Sequence, residues 1–142
     1  MAKHQPADIL LNTKELPWIP MGGPGLWFRL LRSSTETGQW TVLIKMDKGA
    51  SFAPHKHLGA AEFYVLKGTL HYRAGIAHEG YYGYEPLGVI HKETAAEDET
   101  ILWYNGYGPV AFTGADGSIV GVLDWEWVKN AAEEQARAKP AA

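Results

Sequence analysis

The sequence predicts an all-β domain, a sandwich or barrel of short strands followed by one short C-terminal helix. Three observations lead there. The 16 glycines and 8 prolines are scattered along the whole chain instead of being gathered into linkers. The segments between them are short and rich in β-branched and aromatic residues. Helical composition appears only near the end, in "DWEWVKNAAEEQARAK". At 142 residues the chain fits a single domain over 1–142, with a barrel from about 18 to 127. No internal repeat or second domain is visible.

Each element has its own signal. The start, "MAKHQPADILLNTKEL", has no long apolar core and no small-residue cleavage pattern, so it does not read as a signal peptide. "GGPG" at 22–25 lacks the Lys-Ser/Thr of a phosphate loop and no strand-then-helix context surrounds it, so it reads as loop. Candidate strands follow at 26–31, 39–46, 61–66, 69–73, 100–104, 110–112 and 119–124, each bounded by turn residues. Lys67-Gly68 marks a tight turn between two of them. "GADGS" at 114–118 carries the Asp-Gly signal of a hairpin. The helix is expected from about 125 to 137, with a frayed tail beyond it.

Composition removes several classes of function. A formal charge of -3 with no run of Lys or Arg gives no electrostatic support for a nucleic acid or an anionic membrane as partner. The absence of cysteine excludes disulfides and thiolate metal sites. No stretch approaches the roughly 18 apolar residues of a membrane-spanning helix. A cytoplasmic protein is the expectation.

The chemistry concentrates in "SFAPHKHLGAAEFYVLKG" at 51–68. On an extended strand, residues two apart point to the same face. His55 and His57 can therefore reach one metal ion while Lys56 turns away, although a polar loop before a strand has the same composition. Neutral imidazole is a good ligand for iron, zinc, copper or nickel. The wider spacing decides in favour of a metal. Gly49 precedes His55 by five intervening residues, Glu62 follows His57 by four, and Gly68 closes the stretch. Further on come Gly80, five residues, Pro86, Leu87, Gly88, two residues and His91. These are the two spaced motifs of the cupin superfamily, except that the usual asparagine four residues after the second-motif histidine is Ala95. The resemblance implies a double-stranded β-helix, a jelly-roll-like barrel, with a divalent metal at its mouth.

Glu62 is the open position. In the common cupin pattern six residues separate the motif glutamate from its closing glycine, and here there are five. If the Gly68 turn fixes the register, the usual glutamate position falls on Ala61, and Ala61, Phe63 and Val65 face inward. A bulge would instead return Glu62 to the metal. A three-histidine site is favoured, with Glu62 as the alternative fourth ligand. Among the remaining histidines, His4 and His78 read as loop residues, and His71 as a structural strand residue.

From about Trp18 to Trp127 the chain resembles the acetylacetone dioxygenases, the diketone-cleaving cupins. The likeness is carried by "LLRSSTETGQWTVLIKMDKGASFAPHKHLGAAEFYVLKG", "YGYEPLGVIHKET" and "GSIVGVLDW". It implies non-haem Fe(II) held by His55, His57 and His91, with O2 used to cleave a carbon–carbon bond of a β-diketone or a related enolisable ketone. It assigns Arg73 to the substrate pocket, Glu85 to orienting a ligating imidazole, and Thr94 to a place just past the third histidine. Phe63 stands where the family has tyrosine. Three neutral imidazoles leave the ion's charge uncancelled, which favours an enolate chelating through two oxygens. Zinc, nickel or copper suits the same nitrogens. A homodimer is expected. Two other readings stay open: a cupin enzyme of different chemistry, such as an isomerase, and a non-catalytic zinc-binding cupin like those of anti-sigma regulators.

Overall fold

The computed structural model describes residues 7–91 and 94–138. His4 lies outside the described residues. A 3-10 turn at Thr13–Glu15, fourteen strands and one α-helix are present among them: β1 Ile19–Pro20, β2 Leu26–Ser33, β3 Trp40–Met46, β4 Ser51–Phe52, β5 His55–His57, β6 Ala61–Lys67 and β7 Thr69–Tyr72. Then follow β8 Gly75–His78, β9 Tyr82–Glu85, β10 Ile90–His91, β11 Thr94–Ala96, β12 Thr100–Gly106, β13 Val110–Thr113, β14 Ile119–Leu123 and α1 Trp125–Ala138. The long strands coincide with the expected apolar runs. The additional ones are only two to four residues long.

The strands form three antiparallel sheets. One has six strands in the order β1-β2-β3-β12-β6-β9. The others have four each, β10-β5-β13-β14 and β4-β11-β7-β8. The inner faces meet in one core, where Phe28, Trp40, Val42, Met46, Val65 and Leu70 are almost wholly buried. Alternation is clear on β3, where Trp40, Val42, Ile44 and Met46 face inward. Trp40 donates its indole N–H to the Gly108 carbonyl at 3.0 Å, so this large side chain buries no unpaired donor.

Two turns set the register around the site. Gly68 has φ +85°, and a Cβ there would lie 2.7 Å from Thr100 Cα, so only glycine lets β6 turn tightly into β7 against β12. The Asp116-Gly117 turn joins β13 to β14 as an antiparallel hairpin. Helix α1 is capped by Asp124, whose carboxylate accepts from the Trp127 N–H at 2.8 Å. Its apolar side packs Val128, Trp125 and Trp127 on the core, with Trp127 against Phe28. No helix among the described residues is long and apolar enough to cross a membrane.

Candidate metal centre

The three motif histidines come together from two paired strands. His55 and His57 lie on β5, where burial alternates and Lys56 is exposed. His91 lies on β10, directly opposite His55 in the antiparallel register. The three ring centroids stand 5.3, 5.1 and 5.1 Å apart, nearly an equilateral triangle. All three rings are buried.

Glu85 completes the cluster from another sheet. It ends β9, opposite Ala61 of β6, and is buried. One nitrogen from each histidine and one Glu85 oxygen lie within 4.8 Å of each other. The Glu85 Oε2 atom is 3.0 Å from His57 Nε2 and also touches His91 Nε2. Glu85 therefore stands among the converging nitrogens and not behind an imidazole, where the resemblance had placed it. The carbonyl behind a ring belongs to Ala53, 2.8 Å from His55 Nδ1. A proton on Nδ1 donates to that carbonyl and leaves the Nε2 lone pair of His55 free.

Electrostatics suit a cation. Burial lowers the His55 pKa despite the Ala53 carbonyl, and His57 and His91 lower it further, so the ring is held neutral. Burial works to raise the Glu85 carboxyl, but the adjoining imidazoles of His57 and His91 outweigh it and bring it down to about 2. Both ring nitrogens of His57 and of His91 are buried without an aligned hydrogen-bond partner; only the Nε2 atoms lie close to Glu85, and those contacts are poorly directed. A buried polar atom left unpaired costs about 1–3 kcal/mol. A divalent ion among the nitrogens and the carboxylate would take up one of the two unpaired nitrogens on each of these rings. Imidazole and carboxylate are a donor set for iron, zinc, copper or nickel.

Glu62 is placed elsewhere. Ala61, Phe63 and Val65 of β6 are buried, and Glu62 lies on the opposite face of the sheet. The strand does carry a bulge, but it falls at Leu66, between the Val65 and Lys67 pairings with β12. The Glu62 carboxylate accepts from Tyr107 Oη at 2.6 Å, Tyr82 Oη at 2.7 Å and, more weakly, Asn105 Nδ2 at 3.4 Å.

A cavity adjoins the imidazoles. His55, Glu85, Thr94 and the rings of Phe63, Tyr72 and Tyr104 line it, with an otherwise apolar wall. Thr94 is buried there on β11. Arg73 is not among its lining residues: it is exposed in the turn after β7. Parity explains this, because Leu70 and Tyr72 point inward while His71 points out to Glu97, 2.8 Å away. Tyr72, whose ring lies 5.8 Å from that of His91, was passed over in the sequence. It alternates with Leu70, and that two-residue period was the available signal. Burial raises the Tyr72 pKa, as does Glu85, while the nearby charge of Arg73 lowers it.

Comparisons with known proteins agree with this arrangement. A family model described as the ChrR cupin-like domain matches residues 6–111. The acetylacetone-cleaving enzyme of Acinetobacter johnsonii is 32% identical over 107 residues, covering 71% of this chain and 70% of that protein. A crystal structure of an acetylacetone dioxygenase from the same organism is similar with a TM-score of 0.82 at 26% identity, covering 94% of this chain and 96% of that one. The complex of Rhodobacter sphaeroides SigE with the anti-sigma ChrR is similar in fold, with a TM-score of 0.58 at 20% identity over 66% of this chain and 50% of that one. The family model covers well over half of the chain, and the chain belongs to the cupin-like domain family.

Proposed function

We propose that the protein is a non-haem Fe(II)-dependent dioxygenase that cleaves a carbon–carbon bond of a β-diketone, or of a related enolisable ketone, with O2. The observation that carries this reading is the buried His55, His57, His91 and Glu85 cluster opening on an apolar cavity, in a chain 32% identical to an acetylacetone-cleaving enzyme. His55, His57 and His91 would hold the ion, with Glu85 in reach of the same point and Glu62 taking no part. Bound iron supplies the one-electron chemistry that lets O2 react with a closed-shell enolate.

The remaining roles fall to the chain. Phe63 and its apolar neighbours exclude water and strengthen every charge interaction inside. Glu85, ionised and fixed between two rings, holds the imidazoles in place. The Thr94 hydroxyl gives the cavity a neutral donor for a substrate oxygen. Arg73, exposed in the turn beside Tyr72, would reach an anionic substrate only through a field that solvent screens. Met21, Phe52, Phe112 and Leu123 line both this cavity and a larger groove of about 410 Å³ beside β14, so these four side chains stand between the two. In this reading the protein works in the cytoplasm as a homodimer.

The test is oxygen uptake by protein loaded anaerobically with Fe(II), against a panel of small diketones. Uptake that depends on both the diketone and the iron is expected. The ChrR-type family match favours a second reading, a non-catalytic metal-binding domain. Tight zinc binding with no oxygen uptake for any diketone would replace the first reading by the second.

A further inference from the structure

Among the described residues, no Lys or Arg lines the cavity beside the imidazoles, and Arg73 is exposed outside it. An enolate entering there also meets Glu85, an ionised carboxylate in the same cluster. A cation held by the histidines opposes that repulsion, and neutral hydrogen-bond donors can do the same. Three lining residues carry such a hydroxyl: Tyr72, Thr94 and Tyr104.

Tyr72 is the one set against the imidazoles. Its ring lies 5.8 Å from that of His91 and is inclined to it by 35°. The Phe63 ring meets it edge-on at 5.5 Å, with the planes at 80°, so the phenol is held between an imidazole and an apolar wall. The β7–β11 pairing sets His71 opposite Ala95 and Leu70 opposite Ala96, and one step further brings Tyr72 level with Thr94. Two hydroxyl residues thus reach the cavity side by side, from adjacent strands. Tyr104 is placed differently: its ring packs on the buried Trp40 at 5.1 Å.

The Tyr72 hydroxyl is also uncommitted. Tyr82 and Tyr107, on the outer face, donate to Glu62. Tyr72 has no hydrogen-bond partner among the described residues, and the groups that act on it are charges at a distance. Glu85 acts on it more strongly than the adjoining Arg73, which puts the hydroxyl on the side of the metal cluster.

We infer that Tyr72 binds the negative charge of the substrate: its hydroxyl donates a hydrogen bond to an enolate oxygen, a place that the resemblance gave to Arg73. The inference rests on the diketone reading and names the donor that reading requires. A phenol has one proton to give, where a guanidinium has five. It suits an enolate, with a single delocalised charge. A substrate bearing a carboxylate as well would be repelled by Glu85 with nothing further to offset it. The substrate class narrows accordingly to neutral ketones that become monoanions on binding.

Zinc-loaded protein and acetylacetone test this without turnover, because zinc has no redox chemistry. The diketone gives up its central proton to the buffer, and the near-ultraviolet band of the enolate reports binding. The wild type should bind it. Tyr72→Phe keeps the ring and removes only the hydroxyl, so zinc content and circular dichroism should match the wild type. Enolate binding should weaken about 10- to 100-fold, the scale of one hydrogen bond to a charged group. The pH at which the bound enolate is half formed should rise by about one to two pH units. A loss of affinity with no movement of that pH overturns the inference and leaves Tyr72 a packing residue. Equal affinity and an equal midpoint overturn it too, and leave the diketone reading standing. A larger loss in Tyr104→Phe or Arg73→Gln than in Tyr72→Phe also overturns it and hands the donor role to that residue. No enolate band with wild-type protein at millimolar acetylacetone overturns the inference and the diketone reading together.

Discussion

Glu62 and Glu85 sit on neighbouring strands, opposite Tyr84 and Ala61 in the same β6–β9 ladder, yet they face opposite sides of the sheet. Both carboxyls ionise more readily than usual, for different reasons. Glu62 is lowered by hydrogen bonds from Tyr107 and Tyr82, neutral groups in contact with water. Burial alone would raise Glu85, and two imidazoles reverse that. The outer carboxylate already accepts from three neighbours, which take up most of its acceptor sites. The inner one lies against nitrogens that lack aligned partners, so it has a place in metal chemistry. A depressed pKa is therefore not by itself the mark of a reactive group. What the charge faces decides.

The hardest blow to the inner environment is His91→Ala, which removes one of the imidazoles that Glu85 touches. Metal content by emission spectroscopy should fall at least about tenfold, as happens when even supporting contacts of a metal site are lost. Unchanged occupancy would take His91 out of the site. Next, Glu85→Gln should lower the oxygenase rate by about 10- to 100-fold, on the scale of losing a supporting contact of a metal site. Glu62→Gln should leave rate and metal within about twofold. Equal losses in the two variants would erase the contrast.

Gly83→Ala probes the strand that presents Glu85. A Cβ there would run into the Phe63 ring, with Cε2 only 2.9 Å away. Overpacking of this kind costs about 1–3 kcal/mol. That should lower the melting temperature by about 5–10 °C. A melt identical to wild type would mean that β9 yields freely and cannot fix Glu85.

The smallest effect concerns the outer glutamate. Its hydrogen bond to Tyr82 pushes that phenol up to about 12 from 10.0. A raised tyrosine pKa contributes stability that is fully present below the unfolded value, near pH 10, and is lost as pH rises to about 12. Ultraviolet absorbance of the phenolates should show Tyr82 titrating late together with Tyr72, Tyr104 and Tyr107, and Glu62→Gln should return the share of Tyr82 and Tyr107 towards 10. An unchanged titration curve in that variant would detach Tyr82 from Glu62.

The long strands, the Gly68 and Asp116-Gly117 turns and the helix were legible in the sequence because each carries a local signal. The spacing around His55, His57 and His91 was legible because both motifs fix turns that set the strands in register. The short strands carry no periodicity of their own and exist only through pairing, as β10 does with β5. The inward place of Glu85 was hidden for the same reason: β9 alternates tyrosine with glycine and glutamate, which does not say which side meets the core. Arg73 shows the converse. Its identity suggested a pocket role, while its parity with His71 carries it to the surface.

The imidazoles and the carboxylate belong to different sheets, β5 and β10 in one and β9 in another. Their spacing is therefore a measure of how tightly the two layers are pressed together. Gentle loosening of the core would draw Glu85 away while the three rings, two of them on one strand and the third paired to it, stay together. In rising denaturant the protein would then fall silent first and surrender its ion later, and the interval between the two midpoints would gauge the grip of one layer on the other.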